Sequence, residues 1–348
     1  MSDTIEDTIE LNWHALDSEP FRLSGLAWYD QDRALRRLPK SASGNIRPGV
    51  DDLANQPTGV QVAFRTDSRK LHVRASIAAS ERYDHMPATA QCGFDLYLGD
   101  PEKMHFHTVT RFNPADSKYE SPLLDLPDRE LRSVTLNLPI FAQVESASVG
   151  LDADASIQAP LPWSQDGRIV IYGTSITHGG CASRPGMSYT NILSRMLNME
   201  IINLGFSGNG IGEPEVIELV AEIPDSRLIV LDYEANAGHE GLINTLPGAL
   251  DIIRARHPEV PLLVLSRIRF SWEFGSEEAD APRKEARDYQ AAVVAEHRQA
   301  GDANIHFMDG AELLTSTPDE CTVDGVHPTD LGFSQMANAL FPVIRDLI

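Results

Sequence analysis

Three residues of this chain have types and spacing suited to proton transfer and covalent bond formation. Ser175 stands in Gly173-Thr174-Ser175-Ile176-Thr177, directly after the apolar run Ile169-Tyr172. A serine hydroxyl is a weak nucleophile until a base takes its proton. The candidate base is His327, in Asp324-Gly325-Val326-His327-Pro328. An Asp-x-x-His spacing lets the carboxylate fold back onto the imidazole Nδ1, which fixes the tautomer and stabilises the imidazolium. The base must be neutral to work, so activity is expected to fall on acidification through the histidine range, about 6.5 for a free side chain. Each motif alone has an ordinary explanation: a turn after a strand, or a cap before a helix. Their occurrence in the first and last segments of one alternating pattern of strands and helices is what gives them weight.

That pattern occupies the second half of the chain. Ile169-Tyr172, Leu228-Leu231 and Leu262-Leu265 are short continuous apolar runs. Such runs suit strands buried on both faces of a parallel sheet. Ile201-Leu204 and Ile305-Met308 are weaker examples, interrupted by Asn203 and His306. Between them lie helical faces, with Tyr189, Ile192, Leu193 and Met196 on one and Ile243, Leu246, Leu250 and Ile253 on another. A last helix is expected over about residues 329–347, with Met336, Leu340 and Ile344 on its inner face and Pro328 at its start. Alternating strands and helices imply an α/β fold with a doubly wound parallel sheet, whose site lies at the carboxyl ends of the strands. Ser175 and the Asp324–His327 loop both fall there.

The first half reads differently. Leu71, Val73, Ala75 and Ile77 alternate with polar residues, as do Val60, Val62 and Phe64, and Val134, Leu136 and Leu138. A period of two puts one face on a core and the other toward solvent. Several such runs, separated by turns such as Gly99-Asp100-Pro101, predict an antiparallel β-sandwich. The boundary is placed near Gln158-Trp163, where Pro160 and Pro162 interrupt regular structure, giving units of residues 1–157 and 158–348.

Composition narrows the partners. The 348 residues carry 29 basic and 51 acidic side chains, a formal charge of −22. Such a surface repels nucleic acid and anionic membranes, and neither is expected as a partner. A small-molecule or oligosaccharide ester is compatible with it, as is a homo-oligomer. No run of about 18 apolar residues is present. The first twenty residues carry Asp3, Glu6, Asp7, Glu10, Asp17 and Glu19 without Lys or Arg, unlike a secretory signal. Cys92, Cys181 and Cys321 are odd in number and widely spaced, which disfavours a disulfide framework and fits a cytoplasmic location. They also lack the paired spacing of a zinc site.

With these residues in view, the chain resembles the SGNH (GDSL-type) hydrolases. Gly173-Thr174-Ser175-Ile176-Thr177 is similar to their first block, although it reads Gly-Thr-Ser-Ile rather than Gly-Asp-Ser-Leu. Asn203-Leu204-Gly205-Phe206-Ser207-Gly208-Asn209 resembles the second, Tyr233-Glu234-Ala235-Asn236 the third, and Asp324-x-x-His327 the fifth. The third departs from the usual Gly-x-Asn-Asp, since Ala235 and Ala237 flank the asparagine. In the first half, Gly93-Phe94-Asp95-Leu96-Tyr97 resembles the Gly-x-Asp-Leu-Tyr signature of a jelly-roll-like sandwich that precedes one SGNH subgroup. Cys181-Ala182-Ser183-Arg184-Pro185-Gly186 resembles a run that the same subgroup carries after its serine.

The resemblance implies a serine esterase working through an acyl-serine, with no cofactor and no metal. Ser175, Asp324 and His327 would form the triad. The N–H groups of Ser175 and Gly208 and the side-chain amide of Asn236 would hold the oxyanion. The subgroup implies deacetylation of carbohydrates. Competing readings are a general short-chain esterase or thioesterase and, in a different class, an inert carbohydrate-binding protein. Arg184, Arg267 and Arg269 are candidate substrate ligands, with structural ion pairing as the simpler role. His105 and His107 share a strand face but lack a third metal ligand. Glu277, Glu278 and Asp280 read as a solvated helix start. Asp95 and Tyr97 are read either as structural residues or as docking residues between the two units.

Overall fold

The computed structural model describes residues 10–78 and 82–348. Asp3, Glu6 and Asp7 of the acidic start lie outside the described residues. Among the described residues, the first half contains ten strands: β1 (Leu11–Ala15), β2 (Arg22–Ser24), β3 (Gln61–Thr66), β4 (Lys70–Ile77), β5 (Asp95–Leu98), β6 (His105–Val109), β7 (Lys118–Asp125), β8 (Arg132–Asn137), β9 (Val144–Asp152) and β10 (Ile157–Gln158). One sheet runs β1-β9-β4-β7, and the other runs β10-β3-β8-β5-β6 with β2 beside β3. All pairs are antiparallel. The predicted alternation is realised in β4, whose Leu71, Val73, Ala75 and Ile77 share a buried cluster with Val62, Phe64 and Leu96 of the facing sheet. This is the expected sandwich.

The second half adds β11 (Arg168–Gly173), β12 (Glu200–Gly205), β13 (Ser226–Asp232), β14 (Leu262–Leu265) and β15 (Ile305–Met308). They form one sheet in the order β12-β11-β13-β14-β15, parallel throughout. Successive residues of β11 serve two different cores. Val170 and Tyr172 pack with the helices Pro214–Glu222 and Glu234–Arg256, while Ile169 and Ile171 pack with Tyr189–Leu197 and Asp330–Leu347. Burial on both faces explains why the strand is continuously apolar, since each fully buried aliphatic side chain contributes about 1.5–3 kcal/mol. The α/β expectation holds.

Three local details differ from the sequence reading. Ile243 is exposed, and Leu242 takes the place on the inner face that Ile243 was expected to hold. At 100° per residue Leu242, Leu246, Ala249 and Ile253 centre the buried stripe, and Ile243 falls on its flank. Met196 is likewise exposed, and Leu197 is buried instead. The last helix begins at Asp330 rather than Pro328, because the Thr329 hydroxyl accepts from the N–H of Gly332 and caps it.

The packing also crosses the predicted boundary. Leu38, Ala42, Ile46, Val50, Leu53 and Ala54 belong to the same buried cluster as Val170, Ile202 and Ile229 of the parallel sheet. Met86, Ala90, Ile140 and Phe141 complete the cluster on its other face. A division near residue 157 therefore separates the sheets but not the cores.

Candidate active site

β11 lies between β12 and β13, so the connections leave it in opposite directions. A crevice opens at such a switch point, outside the carboxyl ends of the strands. Three predicted residues converge there. Ser175 begins the four-residue helix after β11, Gly208 lies in the turn after β12, and Asn236 lies in the first turn after β13.

The serine turn is held by local polar bonds. The Thr174 side chain accepts from the N–H of Ile176 at 3.3 Å and caps the short helix. Thr177 Oγ1 donates to Asp232 Oδ2 at 2.8 Å, and the Tyr189 hydroxyl donates to the same oxygen at 2.8 Å. Burial pushes the Asp232 carboxyl up to about 7; the two hydroxyls oppose this shift, while Glu234 adds to it. Ser175 itself is 6% exposed.

The Asp324–His327 loop precedes the last helix, as expected. His327 Nε2 lies 2.8 Å from Ser175 Oγ, and His327 Nδ1 lies 2.7 Å from Asp324 Oδ2. Asp324 Oδ1 also accepts from the backbone N–H groups of Val326 at 3.0 Å and His327 at 2.8 Å. Burial works to raise the Asp324 pKa, but these N–H groups and the imidazole outweigh it and hold the carboxyl at about 2. The aspartate is therefore a fixed anion behind the ring. The ring nitrogen facing Ser175 can accept a proton.

The second block forms a tight turn. Phe206 donates its N–H to the Gly173 carbonyl at 2.9 Å, and Asn209 and Gly210 donate theirs to the Phe206 carbonyl at 2.8 and 3.0 Å. Gly208 has φ +66°, which favours glycine, and a Cβ there would meet no protein atom within 4 Å. Its requirement is conformational. The crowded position is Gly210, where a side chain would run into the Gly173 backbone. Asn236 Oδ1 accepts from the Gly210 N–H at 3.2 Å. That contact fixes the amide orientation.

The arginines are engaged elsewhere. Arg184 donates to Asp95 Oδ2 at 2.9 Å and to the Tyr97 hydroxyl at 2.6 Å, and it stacks over Phe106 at 3.7 Å. Asp95 also accepts from the Gly186 N–H at 2.8 Å and from Asn137 Nδ2 at 2.7 Å. The Gly-x-Asp-Leu-Tyr signature thus docks the sandwich onto the segment after the serine. Arg267 pairs with Glu273 and, at 3.4 Å, with Glu234. Arg269 donates to the Glu273 carbonyl at 2.8 Å and lies 3.5 Å from Asp280. These are structural bonds, and Asp280 is buried among Arg269, Arg283 and Lys284 rather than solvated. His105 and His107 lie on β6, with no third ligand grouped with them among the described residues.

Several supporting residues were invisible in the sequence. The fully buried Arg37 donates through Nη1 to the carbonyls of Asn203 (3.1 Å) and Gly205 (2.7 Å), and its guanidinium lies 4.7 Å from the Phe206 ring centroid. It also donates to the carbonyls of Gln56 and Leu53 at 2.7 and 2.8 Å. No carboxylate pattern could have revealed it, because its acceptors are backbone carbonyls. Asn203, which looked like an interruption of its strand, donates to the Thr177 carbonyl at 2.7 Å and thereby ties β12 to the serine helix. Thr58 Oγ1 donates to the His178 carbonyl at 2.6 Å, and His178 Nε2 donates to the Ile140 carbonyl at 2.9 Å. The His85 ring stands 5.8 Å from the His327 ring, centroid to centroid.

Cys92, Cys181 and Cys321 are free and buried. Among the described residues, no helix is long and apolar enough to cross a membrane.

Comparison with known proteins agrees with this architecture. The model of the GDSL-like lipase/acylhydrolase family matches residues 166–345. The model of the N-terminus of SGNH-hydrolase-type esterases, named for Gly-x-Asp-Leu-Tyr, matches residues 11–157. A solved GDSL-like lipase from Bacteroides ovatus is 28% identical over 97% of this chain and 98% of its own, with a TM-score of 0.88. A salicylyl-acyltransferase of a tetracycline biosynthetic pathway, SsfX3, is 23% identical over 97% of both chains, with a TM-score of 0.77. A family two carbohydrate esterase from Cellvibrio japonicus shares the fold at 13% identity and a TM-score of 0.61, covering 97% of this chain and 98% of its own. No curated protein matches the sequence. The chain belongs to the GDSL-like lipase/acylhydrolase family, with the sandwich that marks its SGNH-type esterases in front.

Proposed function

We propose that this protein is a serine carboxylic ester hydrolase that removes a small acyl group, acetyl above all, from a carbohydrate in the cytoplasm. The observation that carries the chemistry is the continuous chain from Ser175 Oγ through His327 (2.8 Å) to Asp324 (2.7 Å). His327 takes the hydroxyl proton as Ser175 attacks the ester carbonyl, and the electron pair of the C=O bond moves to oxygen. The N–H groups of Ser175 and Gly208 and the Asn236 amide receive that charge. Collapse of the adduct expels the alkoxide, which takes the proton from His327. Water then repeats the sequence on the acyl-serine, with His327 again as base.

The small-acyl part of the reading rests on the resemblance to the Gly-x-Asp-Leu-Tyr subgroup. The carbohydrate part rests on the Gly-x-Asp-Leu-Tyr subgroup and on the fold shared with carbohydrate esterases. A reducing cytoplasm accords with three buried free thiols.

The test is a panel of p-nitrophenyl esters of increasing chain length and of acetylated sugars, run on wild type and Ser175→Ala. Acetate and acetylated sugars are expected to be the best substrates, with turnover in Ser175→Ala lower by a factor on the order of 10⁴–10⁶. A panel led by long chains would remove the acetyl assignment, and full activity in the variant would remove the nucleophile.

A further inference from the structure

Two side chains beside the catalytic base, His85 and Cys181, have no part in the proposed ester chemistry. His85, from the sandwich, Cys181, six residues after Ser175, and His327 each offer a ligand atom, and these atoms lie within 4.8 Å of one another. Among the described residues, no other three histidine, cysteine or acidic side chains are grouped in this way. Spacing along the chain gives no hint of it, because the three come from separate loops.

The ring orientations are those of a metal site. Asp324 holds Nδ1 of His327 at 2.7 Å, and Asp84 holds Nδ1 of His85 at 3.2 Å. A metal-bound histidine usually has its second nitrogen fixed by such a carboxylate, which aims the first at the ion. Nε2 is then the nitrogen each ring could offer an ion, and on His327 an ion would displace the 2.8 Å contact to Ser175 Oγ. Cys181 supplies a buried thiol that is 5% exposed. Two imidazoles and a sulfur form a donor set suited to zinc, at about 2.0–2.1 Å for nitrogen and 2.3 Å for sulfur. Ligand atoms around such an ion stand about 3.5 Å apart. Closing from 4.8 Å is a side-chain adjustment, and His85 is on a partly exposed loop.

We propose that His85, Cys181 and His327 form a binding site for a soft divalent cation, zinc being the best fit, and that occupation of the site shuts the enzyme off. Binding exchanges the Cys181 S–H bond for an S–Zn bond and releases one proton. The Nε2 lone pair of His327 is donated to the ion and can no longer take the proton of Ser175. The ion is thus a reversible inhibitor rather than a cofactor. The inhibitory half rests on the reading of His327 as the base, whereas the binding half does not.

The two halves are tested separately. Cobalt titrated into the protein is expected to produce a thiolate charge-transfer absorption band, absent in Cys181→Ser and at least about tenfold weaker in affinity in His85→Gln. This readout needs no esterase activity. In p-nitrophenyl acetate assays, zinc is expected to inhibit the wild type, EDTA to restore activity, and magnesium to have no effect. Cys181→Ser and His85→Gln are expected to keep basal turnover and to require at least about tenfold more zinc for the same inhibition. If Cys181→Ser fails to fold, His85→Gln alone decides. No charge-transfer band, or equal zinc sensitivity in wild type and His85→Gln, overturns the site. A cobalt band without zinc inhibition keeps the site and overturns the base assignment.

Discussion

The sandwich and the parallel layer solve different problems with different burial patterns. In β4 of the sandwich, the polar partners of the buried residues remain accessible, His72 partly buried and Arg74 exposed. In β11 of the parallel layer, every residue from Ile169 to Gly173 is buried. A strand buried on both faces cannot slide or tilt without breaking two cores, so its carboxyl end is a rigid platform. The reacting groups stand on such platforms or on the loop beside them. The amino-terminal half contributes clamps instead: Arg37 on the end of β12, Thr58 on the serine helix, and Asp95 of the sandwich on the segment around Gly186. Changes in the layer should therefore stop chemistry while leaving the fold intact. Changes in these clamps should loosen the fold and the site together.

The sharpest break of this contrast after Ser175→Ala is Asp324→Asn. The residue is on the surface side of the loop, and an amide behind the ring favours the wrong tautomer. Turnover is expected to fall by about 10⁴, with little change in melting temperature. Because the Asp324 carboxyl is held at about 2, it stays ionised through any ordinary assay range. Loss of wild-type activity above about pH 3 should therefore follow imidazole protonation, which pH profiles of wild type and variant can separate.

Asn236→Ala is next. Losing one oxyanion donor costs about 2.7–4 kcal/mol of barrier, or roughly a hundredfold or more in kcat, with KM nearly unchanged. Unaltered kcat would remove Asn236 from the hole. Arg37→Met probes the other region. It leaves buried carbonyls without a donor, at about 1–3 kcal/mol for each one not otherwise paired. Melting should drop by several degrees and kcat should fall as the turn after β12 relaxes. Arg37→Lys should recover only part of both, because an ammonium cannot fork to several carbonyls. A fall in melting temperature with kcat intact would mean that the clamp serves stability alone.

The smallest effect concerns Asp232. Its folded pKa of about 7 lies above the value of about 3.9 in an unfolded chain, so the native state binds the proton more tightly. Its contribution to stability is complete below about pH 4 and is lost as the pH rises toward 7. Calorimetry of Asp232→Asn is expected to show a flatter decline of melting temperature between about pH 5 and pH 8 than wild type. Equal slopes would mean that the Thr177 and Tyr189 hydroxyls keep the carboxylate ionised.

Much of this was legible in the amino-acid order because period and adjacency are local properties. Alternation at Leu71–Ile77 marked a half-buried strand, and continuity at Ile169-Tyr172 marked a fully buried one. Gly-x-Ser at one strand end and Asp-x-x-His before the last helix marked the candidate nucleophile and base. The exact centre of a helical face was not legible, as Ile243 demonstrates, because neighbouring apolar residues Leu242 and Ile243 both fit the period and only packing chose between them. Long-range supports were not legible either. Arg37 binds carbonyls more than 160 positions away, and a carbonyl has no side-chain signature. The grouping of His85 with Cys181 and His327 likewise has no sequence period. It exists only because the sandwich docks over the carboxyl edge of the parallel sheet. The sequence by itself determined the two strand types, the turn that presents Ser175 and the Asp–His pair, since each depends on neighbours in the chain. Only the tertiary structure decided how the amino-terminal half clamps the oxyanion turn and which arginines were already committed to carboxylates. Those outcomes depend on which distant backbone and side-chain groups are brought together when the cores close.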